Sequence, residues 1–215
     1  FFFLDSRATY SYSKNIIAKI KKFKKINYGT VISGTYLDKN FGNISKNFLI
    51  DKIKITKKIK FKSSSSKDYS WAYNFGEAIK KYSIQLSKLK PNLVILTGDR
   101  IETLAFCITC TYMNIPTAHI QAGDKSGHID DLARGAIAKF TNVHFASCEN
   151  SKKRLISWGE EKNRIFNVGA PQLDDIHNYI KTIPREHNDK LKNILLIFHP
   201  VLNEIKDIEN QFKNL

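Results

Sequence analysis

Side chains that could transfer a proton are concentrated between Ala118 and Phe140, in the run AHIQAGDKSGHIDDLARGAIAKF. The run opens with apolar residues typical of a buried strand and closes with a pattern typical of a helix that begins near Asp130. Asp124 therefore follows a strand end, and Asp131 and Arg134 fall in the first turns of a helix. Carboxylates in such places can exchange protons with a ligand, but acids at a helix N-terminus also favour the helix dipole. Both interpretations stay open on spacing alone.

Polar side chains also follow other predicted strands. Arg7 comes just after the apolar FFFL, Asp99 follows NLVILTG, and Gln121 lies near the end of TAHIQAG. Arg7 could bind a phosphate beside a helix N-terminus, or it could be an ordinary surface cation. Asp99 could have a pKa tuned by burial for proton transfer, or it could cap a helix. His119 stands among apolar residues of its strand, which predicts a core histidine.

Strand and helix patterns alternate along the chain, and this alternation determines where those side chains meet. The predicted strands are FFFLD, YGTVISG, the half-exposed DKIKITKKIKFK, NLVILTGD, TAHIQAG, VHFAS and RIFNVG, with helical patterns after most of them and a turn-rich loop, GTYLDKNFGN, after the second. Such alternation predicts an α/β fold with a doubly wound, Rossmann-like parallel sheet. Ligands of open α/β sheets bind beyond the carboxyl ends of the strands, where the candidate side chains lie.

The domain organisation changes near residue 170. We expect residues 1–170 to form an N-terminal Rossmann-like domain. Residues 171–215 would be a helix, a charged linker and the start of an incomplete second Rossmann-like domain, which NILLIFHP (Asn193 to Pro200) opens as a buried strand. One strand cannot bury itself, so we expect the 215 residues to be a fragment of a longer protein.

Composition narrows the classes of function. The net charge of +15 raises the possibility of a basic nucleic-acid-binding module. The lysines between Lys52 and Lys62 are not interleaved with aromatic residues as a base-stacking surface requires, so we expect no nucleic-acid partner. No apolar run is long enough to span a membrane, and a cytoplasmic protein is expected. Cys107 and Cys110 lie inside an apolar helix and are expected to be buried rather than a redox pair.

Neither a metal nor a dinucleotide cofactor is expected. The His and Cys spacings match no zinc pattern, and the sequence contains neither a phosphate-binding G-x-x-x-x-G-K-[ST] nor a G-x-G-x-x-G fingerprint. Phosphate groups of a ligand would therefore depend on arginine and helix N-termini.

Several long motifs, taken in order, resemble those of the UDP-N-acetylglucosamine 2-epimerases. They are SRATYS, GTYLDKNFGN, LTGDR followed by ETL, PTAHIQAGDKSGHIDDLARGAIAKF, HFAS, GEEKNRIFNVGAPQLDD and HP. The resemblance is greatest to the branch that supplies sialic-acid-like and surface-polysaccharide sugars, and it covers nearly the whole chain. It implies the first domain of a glycosyltransferase-B-like architecture, with a UDP-sugar bound between two domains. It also implies elimination of UDP to a glycal, followed by addition of UDP or water with inversion at C2, and a homodimer at full length.

The resemblance also implies roles for seven residues. Asp99, Asp131 and His199 match catalytic positions, and Arg7, Gln121, Asp124 and Arg134 match substrate-binding positions. Gln121 departs from the family, which often has an acid there, and a glutamine cannot exchange a proton. Asp124 matches an acid of the sialic-type branch and could supply the missing carboxylate. Gly135 stands where a histidine is common.

The alternatives to the epimerase are the basic nucleic-acid-binding module raised by the net charge and a glycosyltransferase. A glycosyltransferase of the same architecture would share the fold but would not exchange the C2 proton with solvent. Because His199 and the uridine site would belong to a second domain, we expect the isolated 215 residues to show no turnover.

Overall fold

The computed structural model describes residues 1–37, 45–60, 70–126, 130–182, 194–198 and 206–214. Seven strands form one sheet in the order β3-β2-β1-β4-β5-β6-β7, and every neighbouring pair is parallel. The strands are β1 Phe2–Leu4, β2 Thr30–Ile32, β3 Lys57–Lys58, β4 Val94–Thr97, β5 Thr117–Ala122, β6 Val143–Ala146 and β7 Ile165–Asn167. The predicted doubly wound α/β fold is confirmed, and its strand order reverses between β1 and β4.

Helices connect the strands, as parallel pairing requires. They are α1 Arg7–Ile20, α2 Ser45–Ile50, α3 Ser70–Leu89, α4 Ile101–Tyr112, α5 Asp130–Phe140, α6 Glu149–Ser157, α7 Leu173–Ile180 and α8 Ile208–Lys213. Among these described helices, none combines the length and the apolar character needed to cross a bilayer.

Both faces of the sheet are covered, which explains the continuously apolar β1. Phe3 is fully buried on one face, where its ring stacks on Phe106 of α4 with centroids 4.1 Å apart. Phe2 and Leu4 point to the opposite face and belong to a second cluster that includes Ile17 of α1. A strand buried on both faces gains from apolar residues at every position. The carboxyl end of β1 is thereby fixed at the centre of the sheet.

The structure corrects the predictions for residues 28–62. The half-exposed strand predicted from Asp51 to Lys62 pairs only at Lys57–Lys58 among the described residues. Alternation does bury Ile53 and Ile59 at 5% and 3% exposure, but β3 is an edge strand whose only neighbour, β2, is three residues long. The expected loop after β2 begins with a 3-10 helix at Gly34–Leu37. The sequence also gave no indication of α2.

The chain divides into two compact units, Phe1–Ile180 and Lys181–Leu215. In the first unit, Asp175 of α7 forms an ion pair with Lys14 of α1 at 2.6 Å. In the second, the predicted buried strand is wrong for residues 194–198, which form no strand and are largely exposed, Ile194 at 90%. A strand requires neighbours that complete its hydrogen-bond ladder, and α8 is the regular element described in this unit. The domain boundary at residue 170 stays a prediction.

Candidate active site

Arg134 joins two of the predicted acids into one cluster. This arginine, in the second turn of α5, is only 9% exposed. Its guanidinium pairs with Asp99 beyond the end of β4 through Nη2 and with Asp131 through Nη1 at 3.2 Å. Asp131 also accepts hydrogen bonds from Ser126 N–H and Oγ at 2.8 and 2.9 Å. A buried arginine requires such partners, so the three charged groups hold one another in place at the carboxyl edge of the sheet.

Asp99 is the acid in this cluster whose proton affinity is altered. Burial raises the pKa of Asp99 from its ordinary value, the charge of Arg134 lowers it, and the charges of Asp130 and Asp131 raise it again. Desolvation penalises the charged carboxylate, and the net result is a rise in pKa. An acid whose pKa moves toward neutrality is suited to exchange a proton with a bound ligand.

The turn that carries Asp99 is held in part by His119. This histidine of β5 is completely buried, as the sequence predicted, and its Nε2 lies 2.7 Å from the carbonyl oxygen of Gly98. Burial is the main cause that lowers the pKa of His119 to about 4. The ring is therefore neutral near pH 7 and donates its Nε2–H to Gly98. Gly98 itself has φ +84°, a conformation that favours glycine.

Asp124 lies beyond the end of β5 and is bound to α6. Its Oδ1 accepts hydrogen bonds from Ser147 and, at 2.6 Å, from Ser151. Gly123 precedes it with φ +78°, and its carbonyl accepts a hydrogen bond from Arg154. These contacts orient the carboxylate while one of its oxygens is fully engaged by two hydroxyls.

Gln121 occupies an irregular position in β5. The pairing register with β6 shifts between Ile120 and Ala122, and Gln121 adopts φ +59°. A positive φ is uncommon for a residue with a side chain, and such conformations often accompany functional sites. Gln121 is half-buried.

Arg7 is the first residue of α1 and is exposed. The preceding Ser6 caps the helix, with its Oγ accepting from the N–H of Thr9 at 3.4 Å. Arg7 lines an open depression between α1 and α2 together with Lys14 and Asp51. Its guanidinium lies near the positive end of a helix dipole, an arrangement suited to an anion. The structure does not bring Arg7 into the Asp99–Arg134 cluster, and His199 lies outside the described residues.

Sequence reasoning missed Tyr12 and Asp5. Burial first, and then the charges of Asp99 and Asp124, raise the pKa of Tyr12, which is therefore a neutral phenol near those acids. Asp5 is completely buried directly after β1. The position of Asp5 after a buried strand was a visible signal, whereas Tyr12 carried none because only the packing of α1 places it there.

No cluster of three or more His, Cys, Asp or Glu side chains that could bind a metal occurs among the described residues. Cys107 and Cys110 are buried and unpaired by any disulfide, as expected. The described side chains gathered at the sheet edge are carboxylates, an arginine and a phenol.

Comparison with known proteins identifies a family. A profile described as UDP-N-acetylglucosamine 2-epimerase matches residues 18–215. The UDP-N,N'-diacetylbacillosamine 2-epimerase (hydrolyzing) of Legionella pneumophila is 33% identical over 217 residues, which cover 98% of this chain and 57% of that protein. The GDP/UDP-N,N'-diacetylbacillosamine 2-epimerase (hydrolyzing) of Campylobacter jejuni is 32% identical over 98% of this chain and 56% of that protein. The chain thus spans a little more than half the length of these curated relatives.

Solved structures agree on the fold. The UDP-GlcNAc 2-epimerase of Neisseria meningitidis, determined with UDP-GlcNAc bound, superposes with a TM-score of 0.71 at 19% identity, over 84% of this chain and 49% of that chain. The fold, the order of the motifs and the family profile coincide over nearly all of the sequence. The chain belongs to the UDP-N-acetylglucosamine 2-epimerase family.

Proposed function

We propose that the chain is the N-terminal part of an enzyme that inverts C2 of a UDP-linked 2-acetamido sugar. The observation that carries the proposal is the Asp99–Arg134–Asp131 cluster at the carboxyl edge of the sheet, in a chain of the epimerase family. Inversion at C2 requires one group to remove a proton and another to deliver one from the opposite face. The cluster supplies two carboxylates with a fixed cation between them.

Asp99 is the group we assign to proton exchange at C2. Its raised pKa favours the protonated form over that of an ordinary aspartate, and its pairing with Arg134 fixes its orientation. Asp131 shares the same arginine and is the second acid of the reaction. The C2 proton is removed as the C1–O bond to UDP breaks, which gives a glycal and free UDP. UDP or water then adds to C1 while a proton is delivered to C2.

The other predicted residues bind substrate in this proposal. Arg7, at the N-terminus of α1, balances negative charge on the diphosphate. Asp124 and Gln121 orient the sugar, and the two serine contacts hold Asp124 in position for this role. His199 is proposed to act from a second domain that begins within residues 171–215. Because the chain covers 57% of its Legionella relative, we infer that the 215 residues alone do not turn over.

Two nucleotide sugars are the substrates to test. UDP-N-acetylglucosamine is the substrate implied by the family, and UDP-N,N'-diacetylbacillosamine is named for the two relatives above. We also propose a cytoplasmic location and a homodimer for the full-length protein. Light scattering tests the dimer, and a monomeric mass would contradict it.

The decisive experiment measures incorporation of deuterium from solvent at C2 of the sugar. A full-length protein carrying this sequence is incubated with each substrate in deuterated water, and C2 deuteration and UDP release are measured by NMR. We expect deuterium at C2, with a loss of at least about a hundredfold in Asp99→Asn, consistent with the removal of an acid–base group. Asp174→Asn, an exposed acid of α7, is the matched control and should leave the rate unchanged. UDP release without C2 deuterium would refute the proposal and favour a glycosyltransferase.

A further inference from the structure

Asp5 lies at the centre of the sheet edge and is fixed by its backbone. It directly follows β1, beside the point where the strand order reverses, and it is 0% exposed. Its N–H donates to Thr9 Oγ1 at 3.1 Å, and its carbonyl accepts from Tyr36 N–H and from Thr35 Oγ1, both at 3.0 Å. Asp5 is thus anchored both to α1 and to the turn after β2.

The side chain of Asp5 extends in the other direction, to α4. Its Oδ2 accepts a hydrogen bond from Thr103 Oγ1 at 2.7 Å. Thr103 lies in the first turn of α4, and Arg100 is the N-cap residue of that helix. Asp99 directly precedes Arg100, so the Asp5–Thr103 bond connects β1 to the segment that carries the acid of the site.

A second acid, Glu102, shares this pocket. It is 9% exposed, and its Oε2 pairs with Arg100 Nε at 3.3 Å. Gly34 lies between the two acids, because a Cβ built there would be 3.1 Å from Glu102 Oε1 and 3.3 Å from the Cβ of Asp5. With φ +57°, Gly34 also adopts a conformation that side chains disfavour. Two carboxylates are thereby confined around a glycine, away from water.

This confinement raises the pKa of Asp5. Burial first, and then the charge of Glu102, raise the pKa of Asp5 to about 6, although Thr103 and Arg100 oppose the shift. Among the described residues, Oδ1 of Asp5 is buried without a hydrogen-bond partner. An orphaned buried oxygen is costly for a carboxylate and less so for a neutral acid.

The groups that face Asp5 come from several elements. Glu102 and Arg100 face it from α4 and the N-cap of that helix, and the phenol of Tyr82 faces it from α3. The hydroxyls of Ser6 and Thr9 face it from α1. The ionised carboxylate of Asp5 therefore lies near one acid, Glu102, and one cation, Arg100.

We propose that Asp5 is a positioning residue that holds the segment Gly98–Thr103, and with it Asp99, through the hydrogen bond from Thr103, and that this segment opens more readily when Asp5 is ionised. The inference rests on the proposed function only in assigning catalysis to Asp99. The hydrogen bond from Thr103 favours the ionised carboxylate, but ionisation also leaves a desolvated second charge beside Glu102, and burial outweighs the hydrogen bond. Opening of the segment hydrates Asp5 and relieves that cost. The segment is therefore bound more tightly at pH 5 than at pH 8.

Hydrogen exchange of the 215-residue chain, read by mass spectrometry, tests the positioning without turnover. Protection factors of residues 98–104, corrected for intrinsic exchange rates, should fall roughly tenfold or more between pH 5 and pH 8, since the pKa of Asp5 is shifted by about two units. Asp5→Asn, a neutral isostere, should abolish this pH dependence, and Thr103→Val should lower protection at both values of pH. The amides of α6 and the control Asp174→Asn should show no such change.

The same variants in the full-length enzyme separate the two proposals. Thr103→Val should lower kcat several-fold with KM unchanged, because only the position of Asp99 is altered, and Asp5→Asn, which keeps an acceptor for Thr103, should lower kcat less. A wild-type segment whose protection is flat with pH, or a fall that persists in Asp5→Asn, would overturn the positioning even in an active epimerase. An inactive full-length enzyme with the expected exchange pattern would overturn only the proposed function.

Discussion

Replacing Gly123 with alanine should destabilise the first unit and release Asp124. A Cβ at this position would lie 2.4 Å from the carbonyl oxygen of Ser151 and 2.7 Å from Leu155 Cγ, and Gly123 has φ +78°. Left-handed backbone costs an alanine about 1–2 kcal/mol. Overpacking against the backbone of a neighbouring helix costs about 1–3 kcal/mol. Together these costs lower the free energy of unfolding by roughly 2–5 kcal/mol.

A second glycine of the same region supplies the matched control. Gly135 lies within α5, and nothing lies within 4 Å of a Cβ built there. Alanine in a helix interior gains about 0.5–1 kcal/mol over glycine, so Gly135→Ala should stabilise the protein by that amount. The same change of side chain is thus expected to have opposite signs at the two positions.

Urea denaturation followed by circular dichroism measures both effects. The two variants should share the wild-type m-value, because neither changes the surface exposed on unfolding, and only their midpoints should move. In Gly123→Ala the N-terminal part of α6 must shift, which breaks the 2.6 Å contact between Ser151 and Asp124. A Gly123→Ala variant within about 0.5 kcal/mol of wild type, the range of neutral surface substitutions, would refute the reasoning.

Three further predictions concern the charged and titratable groups. Arg134→Met leaves Asp99 buried without its cation, so the free energy of unfolding should fall by about 3 kcal/mol at pH 8 and by less at pH 5. Equal losses at the two pH values would contradict this prediction. His119→Gln keeps a hydrogen-bond donor for Gly98. The pKa of His119 is lowered to about 4, so the folded state resists its protonation. The free energy of unfolding of the wild type should therefore fall by roughly 3 kcal/mol relative to this variant between pH 6.5 and 4. Cys148 is exposed, and its hydrogen bonds with Ser151 lower its pKa. Iodoacetamide should therefore modify only Cys148 among the three cysteines of the native protein, as mass spectrometry of the wild type and of Cys148→Ser would show. Modification of Cys107 in the native protein would contradict this prediction.

The sheet could be predicted from the sequence because its central strands are buried on both faces. β1 and β4 read as short apolar runs, and each is followed at once by the polar residues of the candidate site. Among the described residues, the predicted strand from Asp51 to Lys62 is confirmed only at Lys57–Lys58, because its alternation records burial of Ile53 and Ile59, and burial does not require a strand. Alternation of apolar and polar residues indicates which side chains face the core, whereas strand pairing depends on a neighbouring strand that is long enough.

The connections within the site were less accessible to prediction. Arg134 and Asp99 are 35 positions apart, and the packing of α5 against α4 and β5 brings them together. The pairing of Arg134 with Asp131, three positions away on one helix, follows from helical spacing alone. The position of Asp5 after a strand is visible in the sequence, but its raised pKa is not, because the burial of Asp5 and the nearby Glu102 depend on distant parts of the chain. Burial in the folded chain is therefore the main cause of the pKa shifts of the site, charges from distant parts of the chain modify them, and local spacing does not reveal them.

The turn that carries Asp99 is held from both neighbouring strands by groups whose charged forms are disfavoured by burial. His119 on β5 holds Gly98 and remains neutral above its pKa of about 4. Asp5 after β1 holds Thr103 and remains neutral below its pKa of about 6. Arg134 contacts Asp99 from a third element, so the turn sets the backbone position of Asp99, while the arginine orients its carboxylate and opposes the rise in its pKa that burial causes.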